Sequence, residues 1–185
     1  MSSKSDWEQI CDQVQERLLK NAPMTVKSAK VLRSEIFQCL TKAYNNGLLK
    51  TKLHEIQKLL KITPSTQGII EITGGERNFK RIKEIPHFEK TDGSWFDFAI
   101  TVSENYKPAE IIAFDFEIRF VENKPIKFLR FDLNLPGHDN QERGIRFHLH
   151  PSSDDLMVPS PPMSPLEILN LFLYGLKIPE RPRNS

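Results

Sequence analysis

The chain has 185 residues, with 26 Lys and Arg against 24 Asp and Glu, for a net charge of +2. That length points to one domain with a substantial core, and the near-neutral balance excludes a protein that coats DNA through a strong basic stripe. A hydrophobic content of 38% with 27% charged residues excludes a disordered chain, and two cysteines (Cys11 and Cys39) exclude both a disulfide framework and a four-cysteine zinc site.

Residues 1–62 read as three helices. Ser5 and Glu8 have capping-box spacing, and Trp7, Ile10, Cys11, Val14 and Leu18 follow at helical period until Asn21-Ala22-Pro23 breaks the pattern. A second helix is predicted over 25–44, with Ala29, Leu32, Ile36, Phe37 and Leu40 on one stripe, and Asn45-Asn46-Gly47 ends it. A third covers 48–60, closed by Thr63-Pro64-Ser65. This region holds eleven basic and six acidic residues, the one basic bias in the chain.

Residues 66–150 read as strands separated by turns at Gly74-Gly75, Asp92-Gly93, Tyr106-Lys107-Pro108 and Glu122-Asn123-Lys124-Pro125. Short turns imply an antiparallel meander, because parallel strands need long crossovers. Residues 151–185 carry seven of the 13 prolines and then a final helix with Ser164 as N-cap, Pro165 at its first position and Glu167 completing a capping box. That helix is apolar nearly all round, which predicts packing against the sheet or against a partner. The expected fold is α+β, with three N-terminal helices, an antiparallel meander of five or six strands and one C-terminal helix. The corresponding boundaries are a helical region at 1–62, a sheet domain at 66–178 and a frayed tail at 179–185. No run approaches the roughly 20 apolar residues of a membrane span, and no signal-peptide pattern opens the chain, so the expected compartment is the cytoplasm, where the two thiols stay reduced.

Ten of the 12 phenylalanines lie between Phe79 and Phe147, and they set the parity of the strands. Alternation puts Phe96, Phe98, Ile100 and Val102 on one face, followed by Phe114, Phe116, Ile118 and Phe120, then Leu129, Phe131, Leu133 and Leu135, then Phe147 and Leu149. Phe128 alone falls on the other side. The opposite parity yields Asp97, Asp115, Glu117, Arg119, Arg130, Asp132, Asn134, Arg146, His148 and His150. An ordinary solvated face mixes in Thr, Ser, Lys and Gln; here Lys is absent, and Arg suits bidentate recognition of carboxylate or phosphate.

Within that surface, His148 and His150 lie two apart on one strand and point the same way. Three uses of the pair are open. The histidines act as general acid and base on a phosphodiester held by Arg130, Arg143 or Arg146; or they bind a divalent metal together with an acid; or they only hydrogen-bond around a proline-flanked turn. His138 or Asp139, on the preceding loop, can fold back beside the pair, and Asp132, on the neighbouring strand, can orient an imidazole; His138 and Asp132 complete the candidate catalytic set. Asp97 followed by Glu117-Ile118-Arg119 is a loose form of the Asp…Glu-x-Lys arrangement of metal-dependent nucleases, with Arg in the lysine position. Asp154-Asp155 reads as a polar loop rather than a late pair of metal ligands, His54 and His87 as structural histidines, and Trp7 and Trp95 as packing residues.

The order of a hairpin (114–120, 128–135), Pro136-Gly137-His138, the strand ending His148-Leu149-His150-Pro151, a proline-rich bridge and the Ser164 helix resembles small toxin-like proteins of bacterial toxin–antitoxin and defence modules. The resemblance covers residues 110–175, and Gly137-His138-Asp139 stands where those toxins carry a denser histidine run. It implies a cytoplasmic toxin-like protein acting on RNA, with His138, His148 and His150 as its site and an antitoxin-like protein or larger complex as partner. No cofactor is assigned, the divalent metal remaining one of the three uses of the histidine pair. The alternative is a non-catalytic adaptor subunit of a larger, nucleic-acid-associated assembly, docked through the apolar last helix and the basic N-terminal region.

Overall fold

A computed structural model describes residues 24–121, 126–138 and 146–176. The chain forms β1 (Met24–Val26), α1 (Ala29–Asn45), α2 (Leu53–Leu59), β2 (Leu60–Pro64), β3 (Ile69–Gly74), β4 (Phe88–Glu89), β5 (Trp95–Ser103) and β6 (Ala109–Arg119). There follow β7 (Phe128–Leu133), β8 (Phe147–Pro151), β9 (Val158–Pro159) and α3 (Pro165–Asn170), which runs on as a wider π-helical turn over Leu171–Gly175. All strand pairs are antiparallel. The main path is β2-β3-β5-β6-β7-β8-β9; β1 pairs with β6, and β4 with β5.

This corrects the expected fold. Nine strands, not five or six, make the sheet among the described residues, and residues 24–64 supply two helices together with two strands. The helix predicted over 1–20, with Trp7 and Cys11, lies outside the described residues. The helix predicted from residue 25 begins instead at Ala29, because Met24–Val26 pairs with Ile111–Ala109 of β6 and Ser28 then caps the helix, accepting from the Val31 N–H at 3.2 Å. The helix predicted to run through residue 60 stops at Leu59. From there Leu60–Pro64 pairs with β3, its Ile62 and Thr63 favouring extended backbone and its Pro64 tolerated at a sheet edge. In each case a strand partner overrides helical periodicity.

The phenylalanine face carries the core. Phe98, Phe116, Phe131 and Leu149 align across β5, β6, β7 and β8, with Ile100, Phe114, Leu133 and Phe147 beside them. Ala29, Leu32, Ile36, Leu40 and Ala43 of α1, spaced three or four apart, are buried in the same cluster, as are Ile168, Leu169, Phe172 and Leu173. Both helices therefore lie on one side of the sheet. Gly74 makes the close approach there, since a Cβ on it would collide with the rings of Phe98 and Phe88. The last helix uses the capping box expected of it: Ser164 Oγ accepts from the Glu167 N–H at 3.3 Å, and Glu167 Oε2 accepts from the Ser164 N–H at 2.7 Å. Ser164→Ala is expected to cost about 1 kcal/mol, read as a fall of about 2–4 °C in the thermal midpoint; an unchanged midpoint would show that packing alone holds this helix.

Among the described residues, no helix is long and apolar enough to cross a membrane.

Candidate functional site

Register assembles the opposite face. One row across the sheet runs Asp97, Glu117, Arg130, His150, and the next runs Ala99, Asp115, Asp132, His148. This face is not solvated. Asp97, Glu117, Arg119, His148 and His150 are each 2–3% exposed. Two loops close over it, residues 75–87 and residues 152–157. Each contains a non-glycine residue in the left-handed region, Arg81 (φ 56°) and Ser152 (φ 59°). Such a conformation costs on the order of 1 kcal/mol, and here both instances turn a loop back onto the same charged layer.

Arginines staple that layer. Arg81 donates through Nε and Nη2 to Glu117 at 2.9 and 3.1 Å, and its guanidinium lies 3.5 Å above the Phe128 ring. The same guanidinium donates to both oxygens of Asp154, at 2.8 and 3.0 Å. Burial works against the Arg81 charge, but Asp154 and Glu117 outweigh it and raise its pKa. Hydrogen bonds from Arg81, and then from Arg130, hold the Asp154 carboxyl down to about 2 although half of it is exposed. Arg119 is bonded to Asp97 and donates to the Asn78 carbonyl at 2.9 Å. Its Nε lies 2.8 Å from Glu117 Oε1 but has no hydrogen-bond partner, so this contact is an ion pair off the N–H axis. Even so, burial pushes the Asp97 carboxyl up to about 6, against the pull of Arg119.

Asp97, Glu117 and Arg119 thus do not form the nuclease-like magnesium site that their spacing allowed. The guanidinium of Arg119 takes the place between the acids that a metal would need.

At the centre of the face, three side chains converge. His148 Nε2 and His150 Nε2 are 3.1 Å apart, and Asp132 Oδ2 lies 3.6 Å from the first and 3.3 Å from the second. The carbonyl of Ser153 sits 3.2 Å from His150 Nδ1. A carbonyl only accepts, so Nδ1 carries the proton and, in the neutral ring, Nε2 faces the cluster as a lone pair. Arg130 donates through Nε to Asp132 Oδ2 at 2.9 Å and through Nη1 to Asp154 at 2.6 Å. Asp132 Oδ1 is buried with no hydrogen-bond partner.

Asp132 also belongs to the wall of an open cleft of about 420 Å³, shared with Arg77, Phe79, Asp115, Arg130, His138 and Asp154 among others. Phe79 is half exposed there, and Arg130 lies over its ring at 5.3 Å. Arg77 pairs with Asp115 at 3.0 Å, yet burial, reinforced by Asp132 and Asp97, pushes the Asp115 carboxyl up to about 7. A second cleft of about 440 Å³ lies between β1, α1 and the start of α3, and its only charged lining residues are Lys27 and Glu35.

Of the candidates named from sequence, His148, His150, Asp132 and Arg130 are brought together, and His138 stands on the wall of the adjoining cleft. Arg146 is not part of the group. It is pinned to backbone carbonyls, donating to Asn134 at 2.9 Å and to Ile112 at 2.8 Å. Arg143 and Asp139 lie outside the described residues. Sequence reasoning missed Arg77, Arg81 and Asp154 as members of the layer. The signal for the first two was the basic and aromatic run Arg77-Asn78-Phe79-Lys80-Arg81 between two turn-forming segments. Asp154 reads in the sequence as ordinary loop polarity and instead clamps two arginines. His87 is a structural residue, its Nδ1 2.7 Å from the Ile85 carbonyl and its ring against the buried Trp95.

No protein-family model, curated protein or solved structure matches this chain.

Proposed function

We propose that the protein is a toxin-like hydrolase that cleaves RNA phosphodiesters in the cytoplasm, using the Asp132–His148–His150 centre to activate water or shuttle the proton. The observation that supports it most is the convergence of those three side chains at 3.1–3.6 Å beside a cleft that also presents arginine and exposed aromatic surface. The phenyl ring of Phe79 suits stacking on an unpaired base, and Arg77 and Arg130 suit a phosphate. Asp115, titrating near neutrality on the cleft wall, is matched to general acid–base work. An antitoxin-like protein that blocks this cleft belongs to the same reading.

The adaptor alternative loses one of its motives, since Ile168, Leu169, Phe172 and Leu173 are spent in the chain's own core.

The test uses the full chain and a fluorogenic single-stranded RNA. Wild type is expected to cleave it, and the His148→Gln/His150→Gln double variant to lose at least about 100-fold in kcat/KM with an unchanged circular dichroism spectrum. RNA cleavage that survives in the folded double variant would remove these histidines from the reaction.

A further inference from the structure

We infer that Asp132 Oδ2, His148 Nε2 and His150 Nε2 are three ligands of a divalent first-row metal ion that imidazole and carboxylate favour, such as Zn²⁺, Fe²⁺ or Mn²⁺. The inference deepens the hydrolase reading and rests on it for the ion's place in the reaction, but not for the binding itself.

The distances carry it. Metal–nitrogen and metal–oxygen bonds of about 2.0–2.2 Å place neighbouring donors about 3.0 Å apart at a right angle and about 3.4 Å apart at the tetrahedral angle. The three donor atoms here are 3.1, 3.3 and 3.6 Å apart. They sit on two adjacent strands whose register sets Asp132 directly opposite His148, with His150 two residues further along the same face. Rigid elements of this kind hold ligands in place better than loops do.

Lone-pair arithmetic points the same way. The Ser153 carbonyl holds the proton of His150 on Nδ1, leaving its Nε2 facing Asp132 Oδ2. A carboxylate oxygen is also only an acceptor, so with the His150 ring neutral that contact sets two lone pairs against each other. A proton on His148 Nε2 can serve only one of its two neighbours and leaves the His150–Asp132 contact unrelieved. One cation at the centre satisfies all three donors at once. The buried, unpartnered Asp132 Oδ1 is a fourth donor on the same carboxylate, available to a bidentate bond.

The outer contacts fit as well. A histidine that binds metal through one nitrogen usually gives the other N–H to a carbonyl or carboxylate, which fixes the ring, and the Ser153 carbonyl does this for His150. Two histidines and one carboxylate make three protein ligands, the pattern of catalytic rather than structural sites, in which the remaining positions are left to water or substrate. Asp132 lines the cleft, so an ion bound to it lies at the cleft wall.

The experiment uses full-length protein stripped with chelator and titrated with Zn²⁺ and with Co²⁺, followed by calorimetry and by the visible absorption of bound Co²⁺. One equivalent is expected. Asp132→Asn and His150→Gln are each expected to weaken binding at least about 100-fold, the upper end of what loss of an outer partner alone costs. His87→Gln serves as the control and is expected to bind as wild type does. No binding, or binding that persists unchanged in folded Asp132→Asn and His150→Gln, overturns the inference. One equivalent bound by a protein that cleaves no RNA supports the metal centre and overturns the hydrolase reading. Cleavage that continues at full rate in chelator, with no metal bound, overturns the metal and leaves the hydrolase.

Discussion

Arg119→Met is expected to destabilise the protein by about 3–5 kcal/mol at pH 8, and by clearly less at pH 5. Arg119 is 3% exposed, is bonded to Asp97 and the Asn78 carbonyl and is ion-paired with Glu117, with its guanidinium 4.5 Å from the Trp95 ring centre. Methionine fills the space of the side-chain stem but leaves the buried Asp97 carboxylate without its cation, while Glu117 keeps Arg81. Removing one partner of a buried pair costs more than the pair was worth, because the remaining charge is stranded. The pH dependence follows from Asp97. Its carboxyl titrates at about 6 in the folded protein, above its ordinary value of 3.8, so the folded state binds this proton more tightly than the unfolded state does. Stability from this group is therefore present at low pH and is lost as pH rises through that interval. Without Arg119 the folded value moves higher still, and the loss extends further into the neutral range. Denaturant melts of both proteins at pH 5 and pH 8 measure this. Equal losses at the two pH values would mean that Asp97 stays ionised without Arg119. The Asp97→Asn/Arg119→Met double variant is expected to recover part of the stability at pH 8, since it removes the stranded charge.

That experiment bears on the whole charged layer. Four arginines (77, 81, 119 and 130) share five acids (71, 97, 115, 117 and 154) besides Asp132 in the centre. A guanidinium can bridge two or three carboxylates from fixed directions, which a lysine ammonium does less well. This explains why lysine is missing from the inward positions. It also explains how a sheet face so rich in charge is buried at all: the covering loops bring their own charges, and Arg77, Arg81 and Asp154 each meet a partner.

The parity of the strands was legible because a strand's period of two is local, and one phenylalanine fixes it for its whole run. Parity alone placed Asp132, His148 and His150 on one side. Their mutual distances were not legible, because they depend on the pairing of β7 with β8, which the composition of neither strand encodes. The short strands were missed for a related reason. Met24–Val26, Phe88–Glu89 and Val158–Pro159 are two or three residues long and exist only where a longer neighbour offers its edge. The covering loops were missed because they have no periodicity. Arg81 and Asp154 are 73 residues apart, and only the folded chain makes them partners. Phe128, the one phenylalanine of the wrong parity, was the trace of those loops in the sequence. On the polar side its ring lies under the Arg81 guanidinium.

Phe116→Ala should be among the most destabilising single changes in the apolar core, costing about 3–5 kcal/mol, while Phe79→Ala should leave stability within about 0.5 kcal/mol and act on the cleft instead. Phe116 is completely buried. Its ring stacks on Phe98 at 4.8 Å and meets Phe114 and Phe172 edge-on at 5.7 and 6.4 Å, so it joins the sheet to the last helix. Truncation removes the transfer free energy of the ring, leaves a cavity between rigid strands that cannot collapse, and breaks three aromatic contacts. Phe79 is 51% exposed, and Arg130 of the charged layer lies over its ring. Losing its ring opens no cavity in the core. If the cleft takes single-stranded RNA, the same change removes a stacking surface and should raise KM several-fold with little change in kcat, whereas Phe116→Ala should lower the fraction of folded protein and leave the folded molecules' KM alone. Denaturant melts together with steady-state kinetics separate the two. A Phe79→Ala variant with wild-type KM would remove stacking on this ring from the way the cleft holds its substrate.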